Sequence, residues 1–308
     1  MITAFYHPGF AAPIGEHIMP MRKFALVAQA LESMPGVRLQ EPAPLTEEAL
    51  KLVHTEEYIR AIRSGEPRAL AESQKFPWSP ELFPSVCLTN GACLAAARQA
   101  RCDGVAAALA SGFHHAGADH GEGFCTFNGL VVAADVLKAR GEVASVAILD
   151  LDLHYGNGTA SLAATRPYLT ALSIYGNDYQ SNVAYRDVTV RRHQDGANHH
   201  SVALPAGCDG SRLNQVLEEC LPGLLKPRHP DLLLYQAGAD PLRDDPYSPL
   251  HLTHADLQER NRRVFEFARA QNLPIAWVLA GGYSPDIRHI VDVHVNTFRA
   301  ARVAWSSP

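Results

Sequence analysis

The chain has 308 residues, 47% of them hydrophobic and only 19% charged, a balance that excludes a disordered, highly charged chain and allows one large domain or two small ones. Its 27 Lys+Arg against 32 Asp+Glu leave a net charge of -5, without the basic excess that neutralises nucleic-acid phosphates, so no direct nucleic-acid binding is expected. Histidine is the odd count, 15 against 4 Met and 3 Trp, and imidazole is both a metal ligand and a proton carrier near neutral pH.

The opening residues MITAFYHPGF carry neither the cationic stretch nor the apolar run of a secretory signal. No segment approaches the roughly 18 uninterrupted apolar residues of a membrane span. The six cysteines, Cys87, Cys93, Cys102, Cys125, Cys208 and Cys220, show no CxxC spacing and read as reduced thiols of a soluble cytoplasmic protein. There is no internal repeat, and the Pro-rich stretches at 41–45 and 76–84 are too short for linkers, so residues 1–308 are expected to form a single domain.

Short apolar runs read as buried strands at 2–6, 105–111, 146–151, 169–174, 232–236 and 275–280. Between the fourth and fifth lies a helical pattern of Leu213, Val216, Leu217, Cys220, Leu221 and Leu224 behind a candidate Ser211 cap, with Pro222 expected to kink or end it. Between the fifth and sixth a helix starts at Thr253, with Asp256 three residues on, and turns Leu257, Val264, Phe265 and Ala268 inward. Apolar strands alternating with helices predict a parallel sheet covered on both faces, with ligands beyond the carboxyl ends of its strands.

Those ends carry unusual residues. The run at 146–151 leads into Asp150, Asp152 and His154, which share one face if the strand stays extended. Burying two carboxylates is costly without a cation or several hydrogen bonds. The run at 232–236 leads to Asp240, alone an ordinary turn or cap residue. The run at 105–111 leads to the tandem His114-His115, alone as well read as a structural or surface pair. The last leads through Gly281-Gly282 to Tyr283, alone a loop aromatic. Four such ends together point to one site, and two carboxylates with one imidazole leave positions open on a divalent ion, the pattern of a catalytic zinc.

These residues resemble the zinc-dependent histone deacetylase family of the arginase/deacetylase superfamily, and are most similar to bacterial class IV-like members. The resemblance rests on His54-Thr-Glu-Glu-Tyr58, His114-His-Ala116 followed by Gly123-Phe-Cys125 and Asn128, 150–158 (DLDLHYGNG), Gly238-Ala-Asp240 with Asp245-Pro246, and Gly281-Gly-Tyr283, all in the family's order. Met19-Pro-Met-Arg-Lys-Phe24 and Phe76-Pro-Trp-Ser-Pro80 add the class IV-like likeness. The resemblance implies a three-layer α/β/α fold with a mainly parallel eight-stranded sheet. It implies one Zn²⁺ per chain on Asp152, His154 and Asp240, with His114 and His115 acting on the attacking water and Tyr283 on the acyl oxygen. Gly123 and Phe124 match the wall of the acyl-lysine tunnel. Asp150 matches the partner of the first histidine and, with Ser173 and backbone carbonyls near Asp152 and His154, a structural K⁺ site.

The departures are informative. Asn157 stands where class I members place an Asp facing the second histidine, which leaves His115 less basic. Tyr155 replaces a common His, and no Asp in 73–84 matches the class I rim acid that grips a peptide backbone. The implied activity is removal of acetyl or other acyl groups from lysine side chains of proteins or peptides. The same core could serve an acetylpolyamine amidohydrolase acting on a small acetylated amine, although Tyr247 occupies the position of the eukaryotic gatekeeper Glu. A binuclear manganese ureohydrolase needs an acid where this chain has Tyr155-Gly156, and a non-catalytic acyl-lysine or metal-binding module needs none of the proton-handling residues. His54 belongs to the resemblance without a task, and His199-His200 read as structural or surface residues.

Overall fold

The computed structural model describes residues 1–177 and 196–306. Eight strands, β1 (Ile2–Phe5), β2 (Val37–Gln40), β3 (Val105–Ala108), β4 (Val146–Asp150), β5 (Leu169–Tyr175), β6 (His199–Ala203), β7 (Leu233–Gln236) and β8 (Ile275–Val278), form one sheet in the order β2-β1-β3-β8-β7-β4-β5-β6. Every neighbouring pair is parallel. The central strands β3, β8, β7 and β4 are buried at every position, so the sheet is covered on both faces, as a parallel sheet with helical crossovers requires.

The helices fall into two groups. Leu82–Asp103 lies against β1, β3 and β8 and packs on Gly129–Ala139; His254–Ala270 packs on Ile287–Ser306, which also meets Lys23–Glu32. Among the described residues no helix is long and apolar enough to cross a membrane. All six cysteines are unpaired.

All six predicted strands are present, with boundaries shifted by a few residues. The sequence misses both edges of the sheet, β2 and β6, for a common reason: β2 alternates half-buried and exposed residues, and β6 reads His-His-Ser-Val-Ala, so neither offers a continuous apolar run. The helix expected behind Ser211 is Gly210–Cys220, and its cap is Asp209, whose side chain accepts from Arg212 N. Pro222 does end it, in a 3-10 turn over Leu221–Leu225. The helix at Thr253 has the expected capping box with Asp256.

Candidate active site

The carboxyl end of β4 does not run on extended. Asp150 Oδ1 accepts from Asp152 N at 3.1 Å and Asp152 Oδ1 accepts from His154 N at 3.0 Å, turns that short acidic side chains make with their own backbone two residues on. Asp150 is thereby diverted from the other two, and its Oδ2 lies 2.7 Å from His114 Nδ1. Asp152 and His154 instead meet Asp240 from the loop after β7. His154 Nδ1 lies 3.1 Å from both Asp152 Oδ1 and Asp240 Oδ2, and the three side chains form a buried group that could hold a metal ion.

The spacing fits a cation. Zinc ligands at about 2.0–2.1 Å from a tetrahedral centre stand about 3.3 Å apart. The remaining carboxylate oxygens are held by backbone: Asp240 Oδ1 accepts from Leu153 N at 3.0 Å and Asp152 Oδ2 from Gly281 N at 2.8 Å. Gly281 is sterically required, because a Cβ there would stand 2.0 Å from Asp240 Oδ2. Electrostatics agree. Burial opposes charge on His154, but the two carboxylates outweigh it and carry the ring up to about 10; burial and the Asp152 charge push Asp240 up to about 6. The donor set selects positive charge at its centre, as a divalent-cation site does.

The tandem pair projects from the loop after β3, where Phe113 adopts φ 59. The rings of His114 and His115 lie 4.0 Å apart, and that of His115 is 6.0 Å from His154. Their partners differ. Burial works against charge on His114, but Asp150 and then Asp152 raise it above the ordinary histidine value. His115 Nδ1 lies 2.6 Å from Asn157 Oδ1, and burial, followed by the charges of His114 and His154, pushes it well below that value. The two rings are thus pushed in opposite directions, His114 toward holding a proton and His115 toward giving it up. The Tyr283 ring completes the site 6.1 Å from His154 and 6.1 Å from Phe124.

Gly123 and Phe124 form a tight turn with φ of 51 and 64, closed by Glu122 N→Cys125 O at 3.1 Å and Cys125 N→Glu122 O at 2.8 Å. Phe124 stacks on Phe76 at 5.7 Å. Ser173 pairs with Asp150 in the β4–β5 register, and its buried hydroxyl has no hydrogen-bond partner among the described residues. Tyr155 packs on Tyr175 and His199 at 5.1 and 5.6 Å. His54 acquires a structural role, its Nδ1 lying 2.9 Å from Gly117 O while Nε2 accepts from Asn128 N at 3.1 Å.

Four charged residues brace the site: Asp245 and Lys23 lie in motifs of the resemblance without an assigned task, and Arg260 and Glu122 escape sequence reading. Asp245 accepts Tyr283 N at 2.7 Å and Tyr247 N at 3.1 Å. Arg260, 1% exposed, donates Nη1 to Leu151 O at 3.0 Å and Gly238 O at 2.9 Å, bracing the loops that carry Asp152 and Asp240. Lys23, fully buried, donates to Ala280 O at 2.6 Å; burial lowers it to about 8 against the pull of Asp240, Asp152 and Asp245. Glu122 accepts from Asn157 Nδ2 at 2.6 Å. In sequence Arg260 and Glu122 resemble surface charges; only the pairing marks them.

Residues 17–298 match the histone deacetylase domain. The chain belongs to that family. An uncharacterised protein of Picosynechococcus sp. is 32% identical over 303 residues, 96% of this histone deacetylase domain protein and 97% of the relative. Acetylpolyamine amidohydrolase 2 of Pseudomonas aeruginosa is 32% identical over 174 residues, 56% of this chain, and the match spans 48% of that enzyme's length. The crystal structure of an acetylpolyamine aminohydrolase from Burkholderia pseudomallei superposes with a TM-score of 0.80 at 24% identity, covering 99% of both chains, which establishes the three-layer deacetylase fold. The family is one of deacetylase-type amidohydrolases, and this protein is a hydrolase of that type.

Proposed function

We propose that the protein is a zinc-dependent amidohydrolase that removes acetyl or other acyl groups from lysine side chains of proteins or peptides, with residues 1–308 as one catalytic domain. The observation that carries this reading is the convergence of Asp152, His154 and Asp240 beside the Asp150-bound His114, the Asn157-bound His115 and the Tyr283 phenol. Asp152, His154 and Asp240 hold one zinc ion. Zinc bound there lowers the pKa of water from 15.7 toward about 7 and polarises the acyl carbonyl.

The chain's own groups do the rest. His115 takes a proton from the attacking water at Nε2 and delivers it to the amine nitrogen as the C–N bond breaks. His114, held by Asp150, supports the site electrostatically. The Tyr283 hydroxyl donates to the acyl oxygen as that oxygen gains negative charge. Gly123 and Phe124 wall the passage for the lysine chain. Asp150 and Ser173, with backbone carbonyls near Asp152 and His154, hold a structural K⁺, a reading supported by the unpartnered Ser173 hydroxyl. The six unpaired cysteines fit a reducing, cytoplasmic location.

The test is Tyr283→Phe on an acetyl-lysine peptide. A loss of about 10²- to 10³-fold in kcat is expected for removal of one such donor, and an unchanged kcat removes Tyr283 from the mechanism. The Pseudomonas relative supports a second reading, hydrolysis of a small acetylated amine. Comparing kcat/KM for acetylspermidine and for the peptide separates the two; Tyr247, packed on Tyr283 at 5.3 Å in the place of an acid, favours the peptide.

A further inference from the structure

The second histidine of the pair reaches a carboxylate through an amide. His115 Nδ1 lies 2.6 Å from Asn157 Oδ1, and Asn157 Nδ2 donates to Glu122 Oε2 at 2.6 Å. An ionised carboxylate has no proton to give, so only the NH₂ end of an asparagine can face it. The amide oxygen must then face the imidazole. An oxygen acceptor at Nδ1 selects the ring form with its proton on Nδ1, which leaves the Nε2 lone pair for proton transfer. Without Glu122, Asn157 could turn over and present its NH₂ to His115, and the opposite tautomer would be stabilised.

Glu122 is kept in range by a separate device. Its backbone closes the turn on Cys125, with Gly123 and Phe124 both at positive φ, the geometry of a two-residue type I′ turn. One carboxylate therefore joins the turn that carries the tunnel-wall Phe124 to the proton-carrying histidine. An Asp at position 157 would have placed a full charge against His115; an amide oriented by Glu122 fixes the tautomer while leaving the ring weakly basic.

We infer that Glu122 is a positioning residue for the hydrolytic reaction, acting through Asn157 to hold His115 in its Nδ1-protonated form. The inference rests on the role proposed for His115, and two readouts keep the two apart. The first is the histidine tautomer, read by long-range ¹H–¹⁵N NMR on zinc-loaded, ¹⁵N-histidine-labelled protein, with the His115 signals assigned by their loss in His115→Gln. Wild type should show Nδ1 protonated, and Glu122→Ala should show a mixture of tautomers. An unaltered His115 pattern in Glu122→Ala overturns the inference whatever the activity. If wild type hydrolyses no acyl amide yet the tautomer depends on Glu122, the relay stands and the hydrolytic role of His115 falls.

The second readout is kinetic. Glu122→Ala should lower kcat about tenfold with KM within about twofold, a fraction of the 10²–10⁴ that general acid–base transfer supplies. Because that variant also alters the turn, the pair is tested by exchange. Asn157→Asp alone sets two carboxylates against each other and should lose about tenfold or more in kcat. Adding Glu122→Gln, whose amide can donate to the new carboxylate, should recover most of that loss. A double variant no faster than Asn157→Asp overturns the relay.

Discussion

The Asp245 carboxylate accepts the backbone N–H of Tyr283 at 2.7 Å. Its other oxygen accepts Tyr247 N, so both oxygens are committed and the loop bearing the phenol is fixed from behind. Asn at this position has one acceptor and would turn its NH₂ toward one of the two amides. Leaving such a group unsatisfied costs about 1–3 kcal/mol locally. Asp245→Asn is expected to lower kcat about tenfold through displacement of the phenol, with KM nearly unchanged. Steady-state kinetics on an acetyl-lysine peptide, alongside zinc content, check this; an unaltered kcat would show that the loop holds Tyr283 without Asp245.

Zinc held as proposed by Asp152, His154 and Asp240 would make stability depend on metal. Asp240→Ala should weaken zinc binding by more than about 100-fold, the upper range lost when even an outer partner of a ligand is removed. In wild type, free zinc at about 100 times its Kd adds about 2.7 kcal/mol to folding. Thermal unfolding with and without zinc, and competition with a chromophoric chelator, provide the measurement. Equal zinc affinity in wild type and Asp240→Ala would exclude Asp240 as a ligand.

Arg260→Met tests the brace beneath the site. The substitution leaves the Leu151 and Gly238 carbonyls without their guanidinium donor, at about 1–3 kcal/mol for each buried group left unmade. Urea unfolding should show a loss of several kcal/mol. A loss below about 1 kcal/mol, the net worth of an ordinary hydrogen bond, would mean that the loops are held by other contacts.

Acid should unfold the protein partly through buried neutral histidines. Burial lowers His54 to about 3, against the opposing pull of its backbone partners, and lowers His294 well below the ordinary value. Between His54's folded value and the unfolded value of about 6.5, the unfolded chain binds a proton that the folded chain does not. The stabilisation from His54 is therefore complete above about pH 6.5 and falls by about 1.4 kcal/mol per unit as the pH drops toward the folded value. His54→Gln should flatten the acid limb by one proton. Unfolding free energies of both proteins across this range decide it, and parallel limbs would exclude His54 as the source.

The interior of the fold was legible because β3, β4, β7 and β8 are buried on both faces and so appear as continuous apolar runs. The edges were not, since a strand with a wetted side needs no such run. The same logic governs the site. Asp152, His154, Asp240, the histidine pair and Tyr283 follow directly on apolar strands, where chemistry-bearing residues stand out. Glu122 lies in a short polar loop, and Arg260 in the charged run Gln258-Glu-Arg-Asn-Arg262. Their neighbours in sequence explain a charge as solvated surface, whereas their partners are 35 and 109 residues away. Asp150 shows the limit of strand periodicity: the expected shared face with Asp152 and His154 is broken by a turn that depends on the side chains themselves.

The strand order also governs how the protein can be made. β1–β3 form one side of the sheet and β4–β6 the other, and they are joined only through β7 and β8, the last two strands in the chain. A ribosome extending the chain from its N-terminus thus releases two half-sheets before the strands that unite them. Until β7 and β8 arrive, β3 and β4 are apolar open edges, the kind of surface on which nascent chains pair wrongly. Asp240 follows β7, so the buried group it forms with Asp152 and His154 cannot assemble on the half-finished sheet to rescue it. Chaperone demand during synthesis should therefore peak before the C-terminal quarter emerges.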